Sequence, residues 1–446
     1  MKTQPPPPKK KVALIHLGCA KNLVDSEVML GHLRNARYGF VRSPEDADII
    51  IVNTCGFIRP ARDEADDVLG KLARLKMRLP EKRFAVTGCY VEKERDHLKK
   101  TFPWVDAWLG VGSFDRIVDA VEGKPVKERG RTFLYDHKSP RIISTPSGWA
   151  YLKVSEGCSH RCSFCSVPQI KGPYRSRSSS SIVEEAQAMA GRGFREIDLI
   201  SQDTTFYGRD RGLKDGLVRL IRRLVKLDGV EWIRLLYGHP EEITDGLLEV
   251  LGEPKVCPYL DIPFQHADPL VVRKMKRGSD GERALKLIGK IRKRVPDIAL
   301  RTSLIVGFPG EGAKEFLALK QFVLEARFNH LGVFTYSPEP GTAAKALTDP
   351  LTQEEKDRRR GEIMEMQAGI SREINGGYVG RTLDVLLEGP LKKGSGWAGR
   401  TRYQAPEVDG IVIVEDGGNR PNGRKPILKV EITSAGVYDL RGKLVL

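Results

Sequence analysis

Cys158-Ser-His-Arg-Cys162-Ser-Phe-Cys165 is the stretch of sequence from which the fold of this chain can be worked out. It follows a predicted strand, Ala150–Val154, and its Cys-x3-Cys-x2-Cys spacing brings three thiols together. Three such thiolates can hold three corners of a cubane iron–sulfur cluster, which leaves the fourth iron open to a small molecule. The alternative is a zinc site that takes His160 as its fourth ligand. The position of the loop at the mouth of a predicted barrel favours the cluster, because active sites of such barrels lie there.

The strand before this loop is the first of six strand–helix units in residues 148–375. The predicted strands are short apolar runs at Ala150–Val154, Glu196–Ile200, Trp232–Leu236, Tyr259–Ile262, Ala299–Ile305 and His330–Phe334. Helical periodicity falls between them, at Ile182–Ala190, Gly216–Leu227, Ile243–Leu251, Arg283–Arg294 and Ala313–Ala326. A charged amphipathic helix, Gln353–Ile374, closes the region. Six units predict an open, partial (β/α)6 barrel rather than a closed barrel of eight.

Residues 11–122 also alternate between strand and helix patterns. The predicted strands are Val12–Leu17, Ala47–Val52, Phe84–Thr87 and Trp104–Leu109. The predicted helices are Asn22–Arg34, Asp63–Met77, Glu92–Lys99 and Phe114–Val121. Such alternation with short loops predicts an α/β domain with a parallel sheet. Residues 123–147 carry Gly, Pro, Ser and basic residues with little periodicity, and we interpret them as a linker.

Three cysteines of this first domain, Cys19, Cys55 and Cys89, each lie just beyond a predicted strand. Because the carboxyl ends of parallel strands meet at one edge of a sheet, we expect these cysteines to converge there. Each borders a glycine, which would let the backbone approach a bulky ligand closely. The pattern predicts a second cluster with three ligands, and the alternative is three inert buried thiols. Cys257 stands alone before a proline and is interpreted as a small buried hydrophobe.

In residues 377–446 apolar and polar residues alternate with a period of two, as in exposed β-strands. Thr382–Leu387, Gly410–Val414 and Leu428–Ile432 are strand-like and are separated by Gly, Pro and Asn turns. The pattern predicts a small antiparallel β-barrel, similar to the oligonucleotide-binding barrels. This segment is only slightly basic, which favours a protein target over RNA, since RNA binding relies on many phosphate contacts.

The length and composition limit the number of domains, the kind of partner and the cellular compartment that can be expected. The 446 residues are long enough for about three domains, and 40% of them are hydrophobic, so real cores can form. Lys and Arg outnumber Asp and Glu by 74 to 58, a net charge of +16, which fits a negatively charged partner or a basic surface. The sequence contains no apolar run of membrane-spanning length and no signal-peptide pattern, so we expect a cytoplasmic protein. In that reducing compartment the seven cysteines do not predict disulfides.

The Cys-x3-Cys-x2-Cys loop after the first strand of a six-unit partial barrel resembles that of the radical S-adenosylmethionine enzymes. With three upstream cysteines and a C-terminal barrel, the chain is similar to the methylthiotransferases of that superfamily over nearly its whole length. The resemblance implies a methylthiotransferase domain at 11–122, a radical core at 148–375 and a TRAM domain at 377–446. One branch modifies an aspartate of small-subunit ribosomal protein S-twelve, and the segments that resemble it are Leu17–Glu27, Gly172–Ser178, Asp261–His266, Ala405–Gly410 and Tyr438–Leu440. Ala20 departs from the proline expected after the first cysteine, but its side chain is not a ligand.

The resemblance implies two 4Fe–4S clusters, one held by Cys158, Cys162 and Cys165, and an auxiliary one held by Cys19, Cys55 and Cys89. It implies that S-adenosylmethionine is cleaved at the first cluster, and that the resulting 5′-deoxyadenosyl radical takes hydrogen from the β-carbon of the target aspartate. The auxiliary cluster would supply sulfur, and a second S-adenosylmethionine would supply the methyl group. The implied partners are S-twelve, free or within the ribosome, and an electron donor such as flavodoxin or ferredoxin, with no membrane.

Two other functions remain open at this point. A sister branch of the same family modifies an adenosine of tRNA, but it carries an acidic residue after the cluster loop, and Lys171–Ser178 has none. A non-enzymatic iron–sulfur electron carrier is the alternative from a different class, and the three-cysteine pattern with its open irons argues against it.

Further residues are candidates for cofactor or substrate contacts. Gln202 and Asp203 end the second predicted barrel strand and are candidates for the methionine part of the cofactor. Gly307 is a candidate for close approach of the adenine. The residues after the cluster loop that could contact substrate or seal the site are Tyr174, Arg175 and Arg177.

Overall fold

The computed structural model describes residues 9–391, 395–415 and 427–445. The strands are β1 (Lys11–His16), β2 (Gly39–Phe40), β3 (Ile49–Thr54), β4 (Arg83–Gly88), β5 (Ala107–Leu109), β6 (Trp149–Lys153), β7 (Ser155–Glu156), β8 (Arg175–Ser176), β9 (Glu196–Ile200), β10 (Trp232–Leu235), β11 (Val256–Asp261), β12 (Ala299–Val306), β13 (His330–Thr335), β14 (Thr382–Pro390), β15 (Trp397–Thr401), β16 (Val412–Glu415), β17 (Ile427–Ala435) and β18 (Leu440–Leu444). The helices are α1 (Ala20–Asn35), α2 (Arg59–Arg78), α3 (Cys89–Thr101), α4 (Ile117–Val121), α5 (Val167–Lys171), α6 (Ser179–Gly191), α7 (Gly216–Leu224), α8 (Asp245–Val250), α9 (Pro269–Lys274), α10 (Gly281–Arg294), α11 (Ala313–Ala326) and α12 (Gln353–Gly376). Within the described ranges, no helix is long and apolar enough to cross a membrane.

The N-terminal sheet is parallel and has the strand order β2-β1-β3-β4-β5. All six residues of the central strand β3 are buried, as expected of a parallel strand covered on both faces. Helices α1 and α4 contribute to the core on one face of the sheet, and α2 and α3 to the core on the other. The sequence predicted this α/β arrangement and missed only the two-residue edge strand β2.

The central sheet has six parallel strands in the order β13-β12-β11-β10-β9-β6. Each strand lies beside its predecessor in the chain, and the largest apolar core packs between this sheet and its helices. This is the open, partial barrel that the sequence predicted. A short antiparallel pair, β7 with β8, adds a flap at the end of β6.

The C-terminal strands form a closed barrel in the order β14-β15-β16-β18-β17, and β17 pairs again with β14. Four of the neighbouring pairs are antiparallel, and β16 with β18 is parallel. The sequence pattern missed β15 and β18. Each contains a glycine, Gly399 or Gly442, whose added Cβ would lie 2.7 Å or less from a backbone oxygen of the neighbouring strand. These strands therefore form through close backbone pairing and do not show a clear alternation of apolar and polar residues.

This small barrel packs on the helix-free face of the central sheet. Trp149 and Tyr151 of β6 point away from the helix-side core and share a buried cluster with Leu386 and Ala405. The same cluster includes residues of the N-terminal domain, so all three parts of the chain meet there. An ion pair also joins the barrel to the central sheet, because the Arg400 guanidinium contacts the buried carboxylate of Glu196 at 2.8 Å.

Residues 123–147, interpreted as a linker, contain no helix or strand. Arg141 in this segment is nevertheless buried, and it forms ion pairs of 2.6 Å with Glu27 of α1 and 2.7 Å with Glu185 of α6. Ser144 donates two further hydrogen bonds to Glu27. The segment therefore fastens the N-terminal domain to the central sheet.

Candidate functional site

The loop of residues 158–165 lies between the β7–β8 flap and α5, at the carboxyl end of β6. Three backbone hydrogen bonds hold it: the Cys158 amide donates to the Gly172 carbonyl, the Ser163 amide to the Met275 carbonyl, and the Ala344 amide to the Ser163 carbonyl. Its cysteines line a cavity of about 460 Å³ together with Gln169 of α5 and residues from two other loops, among them Lys276 and Thr342. The cavity is therefore held in place by elements that are distant in sequence.

The chemistry of the three thiols in this cavity fits a cluster of several irons. Burial, together with a smaller effect of the neighbouring thiols, raises the pKa of Cys158 to about 11 and that of Cys165 to about 12. Such thiols become thiolates when a cation coordinates them, as the irons of a cluster do. Arg277 supplies a nearby positive charge, with its Nη1 3.7 Å from the Cys162 sulfur.

His160, the fourth ligand in the zinc interpretation, is engaged elsewhere. Its Nε2 lies 2.6 Å from the Asp203 carboxylate, and its ring stacks on His239 at 4.1 Å. In the part of the chain that the structure describes, no three His, Cys, Asp or Glu side chains are grouped so that they could hold a single metal ion. The cysteines of a cubane bind different irons, so the arrangement favours the cluster over zinc.

The second set of cysteines lies at the carboxyl edge of the N-terminal sheet. Cys19 immediately precedes α1, Cys55 follows β3, and Cys89 begins α3 directly after β4. Thr54 pairs with Gly88 across β3 and β4, which brings the next residues, Cys55 and Cys89, side by side. The three loops thus meet where the sequence predicted.

Asn22 ties the Cys19 loop to the Cys55 loop. Its side-chain amide donates to the carbonyls of Leu17 and Thr54, at 3.1 and 3.3 Å. Asn53 in turn donates its side-chain amide to the Asn22 carbonyl at 3.0 Å. Both asparagines are buried, so a polar core holds the cysteine loops together.

The bordering glycines are needed for this loop packing, and the expectation that they also let the backbone approach a bulky ligand stays a prediction. A Cβ on Gly18 would lie 3.1 Å from the Cys55 Cβ, and a Cβ on Gly88 would lie 2.3 Å from the Thr54 carbonyl oxygen. Both residues also have positive φ, of 129° and 105°, which side chains rarely adopt. Glycine is needed there because one cysteine loop presses against the next.

The N-terminal thiols have the same electrostatic character as those of the first loop. Burial raises the pKa of Cys55, and it raises the pKa of Cys89 to about 12. The charge of Cys19 contributes to the raised pKa of both Cys55 and Cys89, so the three thiols are close enough to interact electrostatically. Three neighbouring thiols are a donor set of the number and kind that holds an iron–sulfur cluster, and bound iron would stabilise the thiolates against the effect of burial.

The two cysteine sites adjoin across the domain interface. The Ser166 hydroxyl, next to Cys165, hydrogen-bonds to the Phe57 carbonyl, two residues beyond Cys55, at 3.5 Å. Helix α5, which begins after Cys165, packs on α3, which begins at Cys89. The two cysteine sites therefore lie on elements of the two domains that pack against each other.

A buried ionic cluster fixes the interface on one side. The carboxylate of Asp25 on α1 bonds to Lys153 of β6 and, at 3.1 Å, to Lys171 of α5. Glu156 also bonds to Lys153 and lies 3.9 Å from Lys171. The positive charge of Lys171 lowers the pKa of Cys89 against the effect of burial, so this ionic cluster influences a cysteine of the auxiliary site electrostatically.

A second ionic cluster lies on the loop that follows β13. One oxygen of Glu339 accepts hydrogen bonds from Arg62 (2.5 Å) and Lys93 (2.7 Å) of the N-terminal domain. The Arg62 and Lys93 side chains also donate to the carbonyl of Gly56, beside Cys55. The same loop carries Thr342, which lines the first cavity, so it contacts both cysteine sites.

Lys21, two residues after Cys19, meets the central sheet directly. Its ammonium lies 3.2 Å from the centroid of the Tyr237 ring. Tyr237 follows β10 and has a positive φ of 62°, an unusual conformation for a residue with a side chain. The sequence analysis missed this pair, as it missed the two ionic clusters, because their partners lie in different domains.

The structure locates the remaining predicted residues, whose roles stay predictions. Gln202 faces Glu156 at 3.5 Å, and Asp203 holds His160. The position of a Cβ on Gly307 is filled by the side chain of Lys356, at 2.3 Å. The three residues after the cluster loop form internal contacts: Tyr174 with the Asp203 carbonyl, Arg175 with the Thr132 carbonyl, and Arg177 with Glu185.

Cys257 is fully buried in the apolar cluster beneath the small barrel, as its interpretation as a hydrophobe predicted.

Models of three protein families match the chain. The uncharacterized protein family UPF0004 matches residues 11–110, the radical SAM superfamily residues 152–323, and the TRAM domain residues 379–445. These matches fall on the three parts of the fold described above.

Curated relatives match almost the whole chain. The ribosomal protein uS12 methylthiotransferase RimO of Aquifex aeolicus (strain VF5) is 44% identical, and the match covers 97% of each chain. The protein of the same name from Koribacter versatilis (strain Ellin345) is 40% identical over 99% of this chain and 98% of its own. That of Anaeromyxobacter sp. (strain Fw109-5) is 44% identical over 98% and 93%.

Solved structures with low sequence identity share the fold. The radical S-adenosylmethionine methyltransferase TsrM from Kitasatospora setae, with cobalamin and a 4Fe–4S cluster bound, has a TM-score of 0.54 at 15% identity, over 75% of this chain and 76% of its own. The cobalamin-dependent radical enzyme OxsB has a TM-score of 0.51 at 12% identity, over 81% and 57%. At these identities the likeness is one of fold.

Proposed function

The chain belongs to the RimO family of radical S-adenosylmethionine methylthiotransferases, and on this premise we propose that it places a methylthio group on the β-carbon of an aspartate of ribosomal protein uS12. The observation that most directly supports the proposal is the position of the two three-cysteine sites on facing edges of adjoining domains. Removal of hydrogen and delivery of sulfur at one carbon require the two sites to share one substrate side chain.

We assign a radical-generating 4Fe–4S cluster to Cys158, Cys162 and Cys165, and an auxiliary one to Cys19, Cys55 and Cys89. When bound, these clusters and S-adenosylmethionine supply the electron, the radical and the sulfur that protein side chains cannot supply. The chain binds and orients them. Arg277 places positive charge beside Cys162, and the Asn22–Asn53 pair holds the auxiliary loops together.

The remaining assignments follow from the same premise. Gln202 and Gly307 are proposed to contact S-adenosylmethionine, and the small barrel at 377–446 is proposed to dock uS12. An electron donor such as flavodoxin or ferredoxin, and a cytoplasmic location beside the ribosome, complete the proposal. The boundaries 11–122, 148–375 and 377–446 are proposed for the three domains.

The first experiment is mass spectrometry of ribosomal proteins from cells with and without this gene. We expect one uS12 aspartate to gain a methylthio group only when the gene is present. An unmodified uS12 together with a methylthio-adenosine gained in tRNA would replace this proposal with the tRNA-modifying alternative.

The second experiment separates the two clusters. Replacement of Cys158, Cys162 and Cys165 by Ala should roughly halve the iron of the reconstituted protein and abolish cleavage of S-adenosylmethionine, since each set would hold one of two equal clusters. Replacement of Cys19, Cys55 and Cys89 by Ala should also halve the iron but leave formation of 5′-deoxyadenosine intact. Cys257→Ala is the matched control, because that thiol is buried away from both sets. Wild-type iron content in either triple variant would contradict the assignment.

A further inference from the structure

Lys21 is a half-buried residue, and its ammonium has different contacts from those of three other lysines at the domain interface. Lys93, Lys153 and Lys171 each bond to a carboxylate, as buried charges normally do. Among the residues that the structure describes, no Asp or Glu oxygen forms an ion pair with Lys21, and its near neighbour is the Tyr237 ring at 3.2 Å. Asp261, the carboxylate whose charge reaches Lys21, is itself paired with Arg301 at 3.2 Å.

The Tyr237 ring is held in place by its backbone. Its amide donates to the Asp261 carboxylate at 3.1 Å, and its carbonyl accepts from the Thr204 amide at 2.8 Å. These contacts join the carboxyl ends of β9, β10 and β11, and they maintain the positive φ of Tyr237. A conformation of this kind in a residue with a side chain persists only where the surroundings fix it, and such residues cluster at ligand sites.

Lys21 thus carries a positive charge that forms no ion pair with a carboxylate among the described residues, beside the auxiliary cysteine site and at the carboxyl edge of the central sheet. It lies two residues from Cys19, and its aromatic partner lies at the edge of the central sheet that carries the Cys158–Cys165 loop. A cation held on an aromatic face keeps its N–H groups free to donate, because the ring attracts the charge without accepting a full ion pair.

We propose that Lys21 binds the side-chain carboxylate of the substrate aspartate and so presents its β-carbon to both sites. The inference rests on the proposed function, since it requires that the substrate is an aspartate. A substrate carboxylate would supply the ion-pair partner that no Asp or Glu of the described residues gives Lys21. A neutral adenine would leave the charge unpaired, so the same residue would select an aspartate against a nucleobase.

The test compares two substrates with several enzymes. The holoenzyme, reconstituted with iron and sulfide, is titrated with uS12 and with uS12 whose target aspartate is replaced by asparagine. We expect wild-type enzyme to bind the asparagine form about tenfold to a hundredfold more weakly, the range for a charge-assisted hydrogen bond. Lys21→Met should bind both forms equally, Lys21→Arg should keep much of the preference, and Lys71→Met, an exposed lysine of the same domain, should keep all of it.

A second readout is the yield of methylthio-aspartate per 5′-deoxyadenosine formed. Lys21→Met should lower this yield while cleavage of S-adenosylmethionine continues, because the radical would form beside a misplaced carbon. Equal affinity of wild-type enzyme for the two uS12 forms overturns the inference and requires no variant that might unfold. Failure of wild-type enzyme to modify uS12 at all overturns the proposed function instead, so the two failures are distinguishable.

Discussion

Glu339→Gln tests whether the loop after β13 holds the auxiliary site in place. One Glu339 oxygen accepts from the Arg59 amide and the Ser337 hydroxyl, both at 2.8 Å, and the other accepts from the two cations Arg62 and Lys93. An amide in place of the carboxylate keeps the neutral donors but turns an NH2 group toward the cations. Two charge-assisted hydrogen bonds of about 1.5–3 kcal/mol each are lost, and we expect the apoprotein to lose about 3–5 kcal/mol of unfolding free energy.

The assay is denaturant unfolding of the apoprotein, together with the rate at which a thiol reagent modifies Cys55. Because Arg62 and Lys93 hold the Gly56 carbonyl, Cys55 should react faster in the variant. The pKa of Glu339 is lowered, since its cationic partners outweigh the burial that opposes ionisation. Its stabilisation is therefore present above the ordinary carboxyl pKa and is lost as the pH falls below it, so the two proteins should converge in acid.

The matched control is Glu282→Gln, which breaks an exposed pair with Lys286 and should cost less than about 1 kcal/mol. Equal stability of Glu339→Gln and wild type at neutral pH, with unchanged Cys55 reactivity, would refute the reasoning.

Further predictions concern the small barrel and the glycines. Arg400→Met should destabilise the protein by about 3–5 kcal/mol in denaturant unfolding, because it leaves the buried Glu196 carboxylate without one of its cations. The pKa of Glu196 is lowered to about 2, since Arg400 and its neighbour Arg234 outweigh burial, so the wild type should lose stability as the pH falls from the ordinary carboxyl value toward 2. Gly88→Ala should reduce bound iron toward half while S-adenosylmethionine is still cleaved, because the added Cβ displaces the loop of Cys89; full iron content would count against this.

The sequence allowed prediction of the features that depend on local pattern and on sheet topology. The positions of Cys19, Cys55 and Cys89 could be predicted to converge because parallel strands end at one edge, and the register of β3 with β4 brings two of them, Cys55 and Cys89, side by side. The Cys-x3-Cys-x2-Cys loop carries its own spacing, so its three thiols could be grouped without knowledge of the rest of the fold.

The contacts between domains could not be predicted in this way. Glu339 lies 277 residues from Arg62, and nothing in the sequence near either residue specifies the pair. A lysine at the start of a helix is usually solvated, and only the position of Tyr237 makes Lys21 unusual. Strand β18 was missed since its residues, Leu-Arg-Gly-Lys-Leu, form a strand through their pairing with β16 and β17.

The placement of the C-terminal barrel on the helix-free face of the central sheet has a consequence for synthesis of the chain. Glu196 is translated 204 residues before Arg400, its partner in that closure. At about 5–20 residues per second, the ribosome takes about 10–40 s to cover this distance. During that interval Trp149 and Tyr151 lack the C-terminal residues that cover them in the finished fold. Until the C-terminal barrel folds, these two side chains have only their N-terminal neighbours to cover them, and transiently exposed apolar surface of this kind favours aggregation.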